Sequence, residues 1–332
     1  MTYTAGGLIE ANDYNGFAAN NANNINVIYG IGVTDKGYGQ TGTIDLVSAG
    51  GLVTATQWAS LVNVLPVIAN HQATTITSRT APVAGNVIAI LANVATDINN
   101  LTTNRGNAAA VGTEITSWTG TSAKTSATGS GGSSWTITFT HTVTFPSAAQ
   151  ARYFWNAGGI VRLRVSKTST GTQADTEWND LAGVLMNEIR LVGRVNNASQ
   201  VIAGVTYTGV NKTSGTGTPS THLTTTGWYN LTTSNQSIYQ QFADTSPYTN
   251  QNILVQARTA GSGTQLVLTT TWTDPGATSP PNAPSDISGG TTTASPFSSF
   301  GTAPATVVTC FPPSTTYLTN TWGTPSIAAS VS

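Results

Sequence analysis

The most regular pattern in the chain runs from residue 135 to residue 145, where apolar and hydroxyl side chains alternate. The apolar and aromatic positions, separated by threonines, are Trp135, Ile137, Phe139, His141, Val143 and Phe145. A period of two is typical of a strand with one buried face. A short helical turn is predicted at residues 148–155, and the alternation returns at residues 160–165 as a second strand. Because two strands alone are marginal in water, we expect further strands to complete a β core.

Further strand patterns follow beyond residue 195, separated by turns rich in Gly, Asn, Ser and Pro. They lie at residues 201–210, 228–233, 237–242, 253–259, 265–273, 306–311 and 317–322. One helix is predicted at residues 172–185, with Trp178, Leu181 and Leu185 on the face that lies against the sheet. The spacing predicts a sandwich-like β domain over residues 135–332, with a Pro- and Ser-rich surface loop at residues 274–298.

Helical periodicity dominates residues 1–110. Residues 10–29 have apolar side chains at helical spacing, but their many asparagines weaken a solitary helix, so we expect a neighbour to hold it. Residues 54–71 predict a second helix, capped by Thr54 or Thr56, which Pro66 should kink or interrupt. Together with a Ser-, Thr- and Gly-rich linker at residues 111–134, these patterns predict an α+β multidomain protein with a helical N-terminal attachment region.

A third helix carries the cleanest apolar spacing of this region. Its apolar residues follow a four-three-four-three spacing and are Val87, Leu91, Val94, Ile98 and Leu101. This is the spacing of a heptad seam, which also occurs in helical hairpins within one chain. Since such a seam is too apolar to leave in water, we expect it to hold copies of the chain together.

Composition narrows the class of protein. Charged residues make up 8% of the chain, against about 25% in typical soluble domains, so the surface lacks the repulsion that keeps monomers apart. This favours a protein covered by copies of itself or by partners, although a neutral extracellular domain has the same composition. A net charge of −1 gives no basic footprint for nucleic acid. We expect no membrane insertion and, without a signal-peptide pattern and with Cys310 as the single cysteine, assembly in a reducing cytoplasm.

Candidate chemistry is sparse. Acidic residues cluster at Asp175, Glu177, Asp180 and Glu188, and Glu177 and Asp180 share a helix face as an acid–base pair would require. Acids in a first helical turn are also favoured by the helix dipole alone. The three histidines lie far apart in sequence, and no motif for a nucleophile, metal or nucleotide is present. The sequence therefore predicts no enzyme, no catalytic residue, no cofactor and no metal site.

Aromatic residues among Asn and Thr neighbours raise a separate possibility. Trp228, Tyr229, Tyr239 and Tyr248 in the β domain are candidates for stacking on sugar rings, with amides and hydroxyls as hydrogen-bond partners. We expect most of these residues simply to belong to the hydrophobic core.

Four segments carry a resemblance to a known group of proteins. Residues 37–40 (GYGQ), the helix that contains Trp58 and ends at residues 71–72, and residues 137–159, ending in ARYFWNAGG, resemble virion structural proteins of tailed bacteriophages. This group includes tail-fibre and baseplate-associated proteins of cyanophages, and residues 228–233 are similar to it as well. The resemblance implies an oligomeric particle component with an N-terminal attachment region and distal β domains, and it supplies no catalytic residues.

The resemblance sets the functional expectation. We expect a non-enzymatic subunit of a tail fibre, baseplate or appendage, located in the virion, that contacts other virion proteins through its N-terminal region. Because fibre-like proteins of this kind usually trimerise, we expect a homotrimer. The alternatives are an adhesin or receptor-binding module that binds a host-surface glycan, and a capsid decoration or neck fibre protein.

Overall fold

The computed structural model describes residues 11–18, 24–42, 44–84, 93–115, 122–123, 135–169, 173–246, 248–275 and 303–332. The α-helices of this part of the chain are α1 (Ala11–Ala18), α2 (Ile25–Tyr29), α3 (Ala55–Gln72), α4 (Val94–Thr103), α5 (Ala148–Asn156) and α6 (Gln173–Asp180), and a π-helical segment, Leu181–Met186, continues α6. The strands are β1 (Ser122–Ala123), β2 (Trp135–Thr144), β3 (Ile160–Ser166), β4 (Glu188–Leu191), β5 (Gln200–Ile202), β6 (Val205–Tyr207), β7 (Val210–Lys212), β8 (Thr221–His222), β9 (Gln236–Phe242), β10 (Asn252–Ala260), β11 (Gln265–Asp274), β12 (Ala305–Phe311) and β13 (Ser326–Val331). A helical N-terminal region followed by antiparallel sheets confirms the predicted α+β class.

The strands form two large antiparallel sheets in the described part of the chain. One has the order β13-β2-β11-β10-β9-β8 and the other the order β1-β12-β3-β4-β7, while β5 and β6 form a separate hairpin. The alternating segment is β2, an interior strand, whose Ile137, Phe139 and Val143 are fully buried. The next strand, β3, joins the other sheet, so these two consecutive strands face each other across the core and are not paired.

Large aromatic side chains fill the space between the two sheets. Trp272 of β11 is fully buried, and its indole nitrogen lies 3.4 Å from the hydroxyl of Thr306 in the opposite sheet. Trp178 of α6 stacks on Trp272 with ring centroids 5.6 Å apart, and Phe139 meets the same ring edge-on. The predicted helix at residues 172–185 is thus present and caps the interior of a sandwich.

The helical region packs around α3. Thr54 caps this helix, and Gln57 completes the reciprocal capping box, as the sequence pattern indicated. The helix continues through Pro66 without a break, so the expected interruption is absent. Trp58 is fully buried against Tyr14, with ring centroids 5.3 Å apart. The single helix predicted at residues 10–29 is divided into α1 and α2, with residues 19–23 outside the described part.

Several predicted elements differ from the structure. Residues 228–233 begin with a 3₁₀ turn, Trp228–Asn230, instead of a strand, because Trp228 packs into the core. Residues 317–322 form no strand, and the last strand, β13, begins four residues after this segment, where small residues hide the alternation. Residues 201–210 divide into the β5–β6 hairpin, which turns at Ala203 and Gly204 with positive φ angles of 50° and 78°.

The predicted linker is only partly described. Val111 bridges Pro313, Ile115 bridges Cys310, and β1 pairs with β12, so these residues follow the edge of the five-stranded sheet. Residues 116–121 and 124–134, like residues 276–302 of the predicted surface loop, lie outside the described part. Buried residues of the helical region and of both sheets belong to one continuous hydrophobic cluster. None of the helices in the described part is long and apolar enough to cross a bilayer.

Candidate functional site

Three carboxylates meet where α6 approaches the end of β9. Glu177 and Asp180 project from the same helix, as predicted, and Asp244 follows β9, with one oxygen of each carboxylate within 4.8 Å of the others. Sequence reasoning missed Asp244 because only the tertiary fold places its turn beside α6. The side chain of Asp175 lies outside the described part, and Glu188 belongs to a different cluster.

Burial and mutual repulsion both raise the pKa values of Glu177 and Asp180. Glu177 is buried, and one carboxylate oxygen accepts a hydrogen bond from the backbone N–H of Thr245 at 3.4 Å. Burial raises the pKa of Glu177, and the charges of Asp180 and Asp244 raise it further. Burial also raises the pKa of Asp180, with Asp244 adding to the effect. An oxygen-only cluster of this kind resembles the ligand set of a hard cation, but acidic groups on a surface often converge without one.

Glu188 lies at the centre of an ion-pair cluster on the outer face of the five-stranded sheet. Its carboxylate accepts hydrogen bonds from Arg190 at 2.7 Å and from Arg164 at 2.9 Å, and Arg162 lies 3.7 Å away while also pairing with Glu114. Burial by itself raises the pKa of Glu188, but the hydrogen bonds and charges of its partners outweigh burial and hold the pKa below its usual range. The three arginines therefore favour the charged form of Glu188 and hold its carboxylate in an ion-pair cluster.

The four candidate sugar-stacking aromatics are not platforms on the surface. Trp228, Tyr239 and Tyr248 are at most 6% exposed. Trp228 stacks on Trp155 of α5 with centroids 5.4 Å apart and an interplanar angle of 18°. Tyr229 is half-buried, and its hydroxyl is engaged within the protein. For Trp228, Tyr239 and Tyr248 the expectation of exposed sugar-binding rings is corrected, because these rings are buried within the protein, whereas a role for Tyr229 stays a prediction.

The predicted oligomer seam is described only in part. Val94, Ile98 and Leu101 of α4 are at most 3% exposed within a single chain, where they pack into the same core as α1 and α3. Val87 and Leu91 lie outside the described part. The three described residues therefore have their apolar partners in the same chain, so they give no reason for a second copy. The homotrimer itself stays a prediction.

The histidines are also separated in the fold. His141 is buried on the core face of β2, as its pattern indicated, and His71 is buried near the end of α3. His222 is partly exposed, with one ring nitrogen 3.0 Å from the carbonyl of Val210. Among the described residues, the histidines belong to no cluster with the spacing of a metal site.

A polar junction joins the helical region to the sandwich, and sequence reasoning did not foresee it. We define the junction by Tyr38, Gln40, Asn156, Tyr229 and Thr319. The amide of Gln40 donates to the Thr319 carbonyl at 3.0 Å and accepts from the Thr319 N–H at 2.8 Å. The amide of Asn156 donates to the Gly37 carbonyl at 3.1 Å, and the hydroxyl of Tyr229 donates to the side-chain oxygen of Asn156 at 2.6 Å.

The junction brings together two of the segments that carry the resemblance to virion proteins. Residues 37–40 (GYGQ) lie directly against residues 151–159 (ARYFWNAGG). Gly39 has a φ of +70°, and a Cβ at this position would lie 2.4 Å from the ring of Tyr153, so only glycine fits. Both segments of this contact were therefore visible in the sequence as distinct motifs. Nothing in either motif, however, indicated that the two would be in contact.

A second layer of buried hydrogen bonds supports the junction from the helical side. The hydroxyl of Tyr38 donates to the Arg105 carbonyl at 2.8 Å and accepts from the Gln72 amide at 2.7 Å. Burial raises the pKa of Tyr38 well above its ordinary value. Arg105 pairs with Asp35 at 2.6 Å, and the same carboxylate oxygen accepts the backbone N–H of Asn196 at 2.6 Å. Hydrogen-bonded polar networks in a protein interior help to fix one relative orientation of the elements they join.

Comparison with known protein families, curated proteins and solved structures finds no match for this chain.

Proposed function

We propose that the protein is a non-enzymatic structural subunit of a tailed-bacteriophage virion, belonging to a tail fibre, a baseplate or an appendage. One observation carries the proposal. Two of the motifs that carry the resemblance to virion structural proteins, residues 37–40 and 151–159, are in contact where the helical region meets the sandwich. The resemblance therefore concerns residues that build the body of the subunit.

The state of the chemically active side chains supports a structural role. Cys310 and His71 are buried, and burial raises the pKa of the Cys310 thiol, which keeps it protonated. Glu188 is neutralised by three arginines. The acids around Glu177 are the remaining candidates for an acid–base pair, and their raised pKa values follow from burial and proximity. A glycan-binding adhesin is less well supported, since three of its four candidate rings, Trp228, Tyr239 and Tyr248, are buried.

The surface of the helical region supports attachment through this end of the chain. Ile31 is 74% exposed, Val33 68% and Leu52 85%, although the region is well packed beneath them. Apolar patches on a surface are typical of an interface that another protein covers, although single exposed apolar side chains also occur on the sandwich, at Val201, Val205 and Leu223. These side chains are available to other virion proteins, in keeping with an N-terminal attachment region.

Mass spectrometry of virions purified on a density gradient tests the proposal. We expect the chain to co-purify with particles in a fixed ratio to the major tail proteins. A Leu52→Asp variant should be depleted from particles, whereas Leu223→Asp, at a 37% exposed position on the sandwich, should be incorporated normally. Recovery of the wild-type chain only in the particle-free lysate would show that it is not a virion component. Equal incorporation of both variants would exclude attachment through Leu52.

A further inference from the structure

Basic residues gather around a single acid, Asp35, where the helical region meets the sandwich. The carboxylate of Asp35 pairs with Arg105 at 2.6 Å and accepts the backbone N–H of Asn196 at 2.6 Å, in the loop that begins at Arg194. Lys36 follows Asp35 directly in the chain. We define the basic surface by Lys36, Arg105, Arg152 and Arg194. Four cations against one acid are a local excess of positive charge in a protein whose net charge is −1.

Helix α5 brings Arg152 to this place. Arg152 and Asn156 are four residues apart on the same helix and therefore share one face of it. The amide of Asn156 donates to the Thr34 carbonyl at 3.4 Å and accepts from the Tyr229 hydroxyl at 2.6 Å. Burial raises the pKa of Tyr229, the charge of Asp35 raises it further, and the charge of Arg152 lowers it. The guanidinium of Arg152 thus lies beside the loop that carries Thr34 and Asp35.

The fold does not neutralise Arg152. Arginines that pair with a carboxylate in the described part of the chain are Arg79, Arg105, Arg162, Arg164 and Arg190. Arg152 has no carboxylate partner among the described residues. Its guanidinium lies 5.7 Å from the ring centroid of Tyr153, and its Nε is buried without a hydrogen-bond acceptor. An unsatisfied donor of a charged group is costly, so an acceptor supplied from outside the chain would stabilise this site.

The loop next to the basic surface holds two apolar side chains in water. Ile31 is 74% exposed and Val33 68%. The backbone beneath them is fixed, since the Gly39 N–H donates to the Gly30 carbonyl at 2.7 Å and the Lys36 N–H donates to the Val33 carbonyl at 3.2 Å. A loop that is already ordered loses little conformational entropy on binding. Apolar side chains beside cations fit a protein segment better than a nucleic acid, whose phosphates offer them no apolar contact.

We propose that the basic surface, together with Ile31 and Val33, binds an acidic segment of another virion protein, in which aspartate or glutamate lies next to apolar residues. A carboxylate of this segment accepts hydrogen bonds from the Arg152 guanidinium, a pairing that is stronger than one between neutral groups. Its apolar residues cover Ile31 and Val33. Complementary charge speeds the encounter and selects against basic partners. The inference rests on the proposed function and deepens it by naming the chemistry of the partner.

Photo-crosslinking in assembled particles tests the partner. The photo-reactive residue p-benzoylphenylalanine replaces Val33 or, as a control, the 37% exposed Leu223 of the sandwich, and purified virions are irradiated. We expect position 33, but not position 223, to crosslink to a virion protein within a segment that contains Asp or Glu. No crosslink from position 33, a crosslink to a segment without acids, or a crosslink to nucleic acid would overturn the inference while the proposed function stands. Absence of the wild-type chain from virions would overturn both.

Charge variants test the role of Arg152. Arg152→Glu should lower incorporation into particles at least about tenfold, and Arg152→Gln should lower it less, because the first repels an acidic segment and the second only loses the attraction. The matched control is Arg258→Glu on β10, at an arginine that also has no carboxylate partner among the described residues, and it should be incorporated normally. Arg152→Gln should keep the wild-type melting temperature, which separates lost binding from misfolding. Normal incorporation of Arg152→Glu, or an equal loss for Arg258→Glu, would overturn the inference.

Discussion

Acidification should destabilise the contact between the helical region and the sandwich through His71. This side chain is 2% exposed, and its ring meets Tyr38 of the junction edge-on, with centroids 5.2 Å apart. A hydrogen bond with the backbone of Ala157, immediately after α5, favours the charged ring, but burial outweighs it. The net effect lowers the pKa of His71 from its ordinary value of 6.5 to about 4.

The size and sign of the effect follow from these two pKa values. Above pH 6.5 the ring is neutral in both the folded and the unfolded chain, so the free energy of unfolding does not depend on its titration. Between pH 6.5 and pH 4 the unfolded chain binds a proton that the folded chain does not, so stability falls as the pH falls. Each pKa unit corresponds to 1.36 kcal/mol, so the loss should be about 2 kcal/mol at pH 5 and about 3 kcal/mol near pH 4.

Urea unfolding of the wild type and of His71→Asn at pH 7, 5 and 4 measures this contribution. Asparagine retains an amide donor for Ala157 but does not titrate in this range. Other groups, including the half-buried His222, whose pKa is also lowered by burial, contribute equally to both proteins and cancel in the difference. We expect the variant to be less stable at pH 7 but to lose about 2 kcal/mol less than the wild type by pH 5. Parallel pH profiles for the two proteins would refute the reasoning, because they would mean that His71 is protonated in the folded chain.

Three further predictions concern the junction, the core and the acidic cluster. Tyr229→Phe removes the hydrogen bond to Asn156 and should lower the free energy of unfolding by about 1 kcal/mol or more in urea titrations; an unchanged value would mean that water replaces the bond. Trp228→Ala leaves a cavity beside Trp155 and should lower the free energy of unfolding by about 3–5 kcal/mol. The wild type should give no signal on a glycan array. Specific glycan binding by the wild type that this variant loses would indicate that Trp228 contacts the glycan. Glu177→Gln should leave the stability at pH 7 unchanged or increased, since the raised pKa means that the folded state disfavours the charge; a marked loss of thermal stability would instead indicate that the carboxylate has an unseen cationic partner.

The local sequence pattern was sufficient to predict an element and its buried face wherever the segment had one clear periodicity or a recognisable helix cap. The alternation in residues 135–145 predicted β2 with its buried face, because a strand in the middle of a sandwich must place every second residue in the core. The apolar face of α3 and its Thr54 cap were also readable, since both depend on residues within one helical turn of each other. β13 was missed, because Ala and Ser carry almost no periodic signal.

The candidate site depended on contacts between distant parts of the chain. Whether Trp228 is a sugar platform or a core residue is decided by Trp155, more than 70 positions earlier in the sequence. Whether Val94, Ile98 and Leu101 need a second copy is decided by what the same chain folds against them.

By itself, the sequence determined the class of this protein, its low charge and the faces of its main strands and helices, because these properties belong to single residues or to neighbours along the chain. Only the tertiary structure decided that residues 37–40 meet residues 151–159 and that Asp244 joins Glu177. The physical reason is that burial and pairing depend on which surfaces meet after folding. An apolar stripe or a polar motif specifies that it needs a partner, but the identity of that partner is set by the packing of the whole chain.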